Sequence, residues 1–103
     1  MNGFHCDEIA AAVPRVGAAL RRVPKAPETL LRPAARLLRA AVTRSNEDIR
    51  AEALDLLRAW YTHGASSGWT EQHRDVHAPM AALQRALERT NALERSLMRG
   101  ITA

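Results

Sequence analysis

His73 and His77 stand four residues apart, the helical spacing that turns two imidazoles toward a single ion. A zincin signature also needs a Glu beside the first histidine, and Arg74 occupies that place. Glu71, Asp75 or His63 could complete a metal site only through tertiary packing. Two histidines beside a loop are therefore expected, without a metal. Cys6 lies between His5 and Asp7, the residue types of a thiol nucleophile and its base. Adjacent residues seldom face one another on a helix or an extended strand, however. The chain has no Gly-rich phosphate loop, serine elbow or paired-carboxylate motif. The sequence predicts a protein that is not an enzyme and carries no cofactor.

The remaining chemistry is that of binding. Arg32, Arg36 and Arg39 share one helical face, with Arg21 and Arg22 upstream. Residues 1–44 carry eight Arg/Lys against three Asp/Glu, and residues 45–103 carry seven against eight, so the net +4 charge resides in the first half. Such a field suits an acidic protein surface, a nucleic acid or an anionic membrane, and equally a solvated helix face. Base readout usually adds Asn, Gln or Ser to the arginine face, and residues 34–42 contain none. Trp60, Tyr61 and Trp69 bracket a Gly/Ser stretch. They can plug the end of a helical hairpin or, with arginine, form the kind of cluster in which binding energy concentrates. Arg32, Arg36, Arg39, Trp60, Tyr61 and Trp69 are the candidate partner-binding residues.

These residues need helices to position them. At 103 residues with 4% aromatics, the chain is one domain with a modest aliphatic core. Cys6 is the only cysteine, so no intrachain disulfide can form, and a reducing, cytoplasmic setting is expected. No apolar run approaches the ~20 residues of a membrane span, and no signal-peptide layout opens the chain.

Ile9, Val13, Val16, Leu20 and Val23 fall on one helical stripe, with Asp7 as a possible cap. Pro14 interrupts the stripe, so a short turn and a helix starting near Pro14 are expected, weakened by Gly17. "VPKAP" (Val23 to Pro27) closes an N-terminal arm and linker, residues 1–27. Residues 28–63 then read as a first long helix with Leu30, Leu31, Ala34, Leu37, Leu38, Ala41 and Val42 on its apolar face and Pro33 in its first turn. "SNED" (Ser45 to Asp48) matches a capping box. The chain either breaks there or continues as one helix of about 31 residues, ~46 Å long. "GASSG" lies in a loop over 64–69, Thr70 caps a second long helix over 70–99, and Gly100 ends it. Val76, Met80, Leu83, Leu87, Leu93 and Leu97 line that helix's buried side, with Thr90 on the seam.

"HAPMAAL" (His77 to Leu83) resembles a stretch in the last helix of the TraM-type quorum-sensing antiactivators, through His77, Ala78, Met80, Ala82 and Leu83, with Gln72 and His73 upstream. The resemblance implies a chain of this size with two long antiparallel helices. It also implies a dimer that binds a LuxR-type transcription factor and keeps it from DNA. Pro79 departs from that pattern and should kink the helix.

The expected fold is all-α: a long antiparallel hairpin with an N-terminal helical arm, dimerising into a four-helix-type bundle. The apolar residues of two helices exceed what one hairpin face can hide, and each left exposed forgoes ~1.5–3 kcal/mol. Leu37, Leu38, Met80, Leu83 and Leu87 are the expected core and dimer interface. A small basic nucleic-acid-binding protein, or a helical adaptor or inhibitor of another system, is the alternative function.

Overall fold

The computed structural model describes residues 6–23, 26–43, 46–67 and 74–102, and among them every regular element is helical. Helix α1 spans Asp7–Arg21, α2 Glu28–Thr43 and α3 Asn46–Ser67. A 3-10 turn, Arg74–Val76, leads into α4, His77–Thr102.

Asp7 and Glu8 open α1 and Arg21 closes it, so charges of the favourable sign sit at both ends of the helix dipole. Cys6 holds the N-cap position and makes no side-chain cap bond. Ile9, Ala12, Val13, Val16, Ala19 and Leu20 form the buried stripe. Pro14 does not start this helix but lies inside it. It removes the donor for the Ala10 carbonyl, at roughly 3 kcal/mol. Burial of Ile9 and Val13 ahead of it, at about 1.5–3 kcal/mol each, offsets that loss. The proline ring itself is exposed, away from the core.

Helix α2 starts where the Pro27 carbonyl accepts from the N–H groups of Leu30 and Leu31, at 2.9 and 3.0 Å. Pro33 is therefore in the helix's second turn, not its first, and it is buried with Leu30, Leu37 and Ala40. Residues 28–63 are not one rod: α2 ends at Thr43 and α3 begins at Asn46 with Glu47 and Asp48 in its first turn. The Ser45 cap lies outside the described residues, as does Thr70. Helix α3 runs on through Gly64 to Ser67, so residues 64–67 of the expected loop are helical. Once a helix is nucleated each further residue adds a hydrogen bond, which outweighs a single glycine's ~1 kcal/mol. For the same reason α4 continues past Gly100.

Pro79 does not interrupt α4. Because α4 begins at His77, the proline lies in the first turn, where its missing N–H has no intrahelical acceptor to lose.

Helix α2 packs mainly on α3, and α1 mainly on α4 and then on α2. Glu8 near the start of α1 pairs with Arg89 of α4, while α1 also touches the 3-10 turn at 74–76. Thirteen residues of helix, about 20 Å, separate Arg89 from Val76, close to the length of α1. The two helices therefore run antiparallel. One continuous core results, with Ile9, Leu20, Leu30, Leu37, Leu56, Met80 and Leu83 among its fully buried members.

A single chain thus hides most of the residues that seemed to require a second copy. Leu30, Leu37, Ile49, Leu56, Leu57, Val76, Met80, Leu83 and Leu87 are all buried, because α1 and the folding of α2 onto α3 supply the cover. Leu31 is half-buried, whereas Leu38 and Leu93 are 46% and 42% exposed. Leu97 lies outside the described side chains.

Candidate functional site

Because α2 folds back on α3, Arg32 and Arg36 meet Arg58 across an open groove of ≈ 810 Å³, also lined by Glu28, Thr29, Pro33, Asp55, Ala59 and Thr62. The Nε of Arg36 donates to Oε2 of Glu52 at 2.8 Å, which fixes that guanidinium at the groove's side. Among the described residues neither Arg32 nor Arg58 has an ion-pair partner. Pro33 has no N–H to give the Thr29 carbonyl, so an acceptor lies beside the arginines. Planar donors on an exposed wall of two helices suit carboxylates of a protein surface, bound in pairs. Arg39 is exposed but does not line this groove.

Arg58 belongs equally to a second groove of ≈ 450 Å³ between α3 and α4, with Leu54, Leu57, Tyr61, Gln84, Leu87 and Asn91. There the Tyr61 hydroxyl donates to Oε1 of Gln84, whose Nε2 donates to Glu88 at 3.1 Å. The sequence reading passed over Arg58. Its place depends on the register of two helix pairs, and a single helix pattern carries no such information.

The aromatic candidates separate. Trp60 is 4% exposed, its ring edge-on to His77 with centroids 5.3 Å apart and planes at 84°. It plugs the core beneath the start of α4. Tyr61, the next residue, is 54% exposed and available to a partner. Trp69 and His73 lie outside the described residues, and His63 outside the described side chains. Among the described residues no three His, Cys, Asp or Glu side chains gather as a metal site. Cys6 is buried at 1% and Asp7 beside it is exposed, while His5 lies outside the described residues.

Leu37, Met80, Leu83 and Leu87 are core residues of one chain, whereas Leu38 stands at a surface. Thr90 is buried, and its hydroxyl donates to the Ala86 carbonyl at 2.9 Å. Of the positions that resemble the antiactivators, Met80 and Leu83 are buried, and His77 and Ala78 are exposed.

A third groove, ≈ 310 Å³, separates α1 from α2 and is lined almost entirely by apolar side chains, with Arg21 its single charged residue. Among the described residues no helix is long and apolar enough to cross a membrane. Compared with known proteins, the chain matches no family model, no curated protein and no solved structure.

Proposed function

We propose that this chain is a non-enzymatic helical inhibitor that binds a LuxR-type transcription factor in the cytoplasm and keeps it from DNA, as its TraM-type resemblance implies. The observation that supports this reading is the groove in which Arg32, Arg36 and Arg58 converge from two helices. Its donors are suited to carboxylates on a protein, and exposed Tyr61 extends the same surface through Arg58 into the neighbouring groove. The functional unit in this proposal is a homodimer, as the same resemblance implies.

Exposed arginines on α1 and α2 favour a second reading, binding to nucleic acid. The groove argues for protein instead, since Glu28 and Asp55 alternate with its arginines and Glu52 pairs with Arg36, a mixed-sign surface that suits the mixed charges of a protein rather than the uniform negative charge of a phosphate backbone.

Co-purification with a panel of LuxR-type receptors, together with reporter output from their promoters, tests the proposal. Retention of a receptor that weakens on substituting both Arg32 and Arg58 by Ala supports it. No retention and unchanged reporter output would overturn it. A shift of labelled duplex DNA whose affinity falls with salt at a log–log slope of about −0.9 per phosphate would select the second reading.

A further inference from the structure

We propose that the groove between α1 and α2 is a docking site for an acidic amphipathic helix of a protein partner. The inference rests on the protein-binding reading above and names the partner's chemistry, at a surface apart from the arginine groove.

Val13, Pro14, Gly17 and Leu20 of α1 face Leu31, Ala34, Ala35 and Leu38 of α2 across this groove. Each wall advances at helical steps of three and four residues. From Leu31 to Leu38 the wall is seven residues long, ~10 Å or two turns. That length receives two apolar side chains spaced i and i+4 on an incoming helix. The floor has room for them because Gly17 carries no side chain, and a Cβ built there would meet nothing within 4 Å. The wall is also open to solvent, with Leu38 46% exposed and Pro14 exposed.

The surrounding charge selects the occupant. Arg21 lines the groove, and Arg39, one turn beyond Ala35, is exposed on the same helix. Neither has an ion-pair partner among the described residues. Between Glu8 and Glu47 the only acidic residue is Glu28, which lines the other groove. An apolar floor inside a basic rim is complementary to a helix with Leu-type residues on one face and Asp or Glu beside them. A second copy docking groove to groove would bring like-charged rims together, and nucleic acid has no apolar face to fill the floor.

The probe is a labelled ~15-residue peptide with Leu at i, i+4 and i+7 and Glu at its polar positions, paired with a counterpart carrying Lys in place of Glu. Fluorescence anisotropy with the full chain should show saturable binding of the Glu peptide only, weakening with salt, with helical circular dichroism gained on binding. The variant Gly17→Leu fills the floor and should abolish binding while its melting temperature stays at or above that of the parent. Leu38→Gln, at the exposed rim, should weaken binding similarly, and Arg21→Glu combined with Arg39→Glu should weaken it about tenfold or more. Equal binding of the Lys peptide, or full binding by Gly17→Leu, would overturn the proposal. So would self-association that Gly17→Leu abolishes without any peptide binding, which would assign the groove to a second copy. Because the peptides contain no receptor sequence, peptide binding can succeed where receptor co-purification fails, and the reverse.

Discussion

Arg36 and Glu52 are sixteen residues apart in sequence, yet Nε of one lies 2.8 Å from Oε2 of the other. In a continuous helix the same two residues would be separated by about 24 Å. Their contact identifies the chain reversal between Thr43 and Asn46 as the event that builds the arginine groove. The pair is partly exposed, so its coupling should be modest. A double-mutant cycle with Arg36→Ala and Glu52→Ala should give about 0.2–1 kcal/mol at low salt and less at 1 M salt. A coupling near zero at low salt would show that the reversal does not depend on the pair.

Two prolines in helices should behave in opposite ways. Pro14→Ala restores a donor to the Ala10 carbonyl and should raise stability by roughly 1–2 kcal/mol, after allowing for the freer unfolded chain. Pro79→Ala, in the first turn of α4, should change it by less than about 0.5 kcal/mol. Urea unfolding of both variants makes the comparison, and a large gain at Pro79 would place the start of α4 further upstream.

Gly17→Ala should stabilise the chain by about 0.5–1 kcal/mol, since it improves helix propensity and the new methyl meets no neighbour. For a domain of this size that is a rise in melting temperature of roughly 2–6 °C. A fall would mean that the groove closes over Gly17 in solution.

Leu83 and Leu38 were equivalent as interface candidates and are not equivalent in the fold. Leu83→Ala removes a fully buried side chain and should cost about 2–5 kcal/mol. Leu38→Ala should cost less than about 1 kcal/mol at any protein concentration. A larger, concentration-dependent loss at Leu38 would instead show a homodimer that covers α2.

The helix faces were legible because their information is local. Ile9, Val13, Val16 and Leu20, or Met80, Leu83 and Leu87, repeat with the helical period whatever they pack against. The all-α class follows from those stripes. What surrounds each stripe was not legible: the apolar face of α2 is broad, and nothing in its pattern separates buried Leu37 from exposed Leu38. That distinction comes from where α1 and α3 lie. Proline was misread for a related reason. The missing N–H is the same at 14, 33 and 79, but its cost depends on where the helix starts and its consequence on how much burial flanks it. Arg32 and Arg36 were visible as a pair, while Arg58 joined them only through the fold.

The packing of α1 on α4 has a consequence for synthesis. On the ribosome the chain emerges from its N-terminus at about 5–20 residues per second, so the apolar stripe of α1 appears several seconds before the helix that covers most of it. Helices α2 and α3 can pair as soon as both are out, since their contacts lie close in sequence, but α1 must wait for α4. In that interval Ile9, Val13, Val16 and Leu20 form an exposed hydrophobic segment, the kind that chaperones bind, and nascent chains stalled before residue 77 should retain one there.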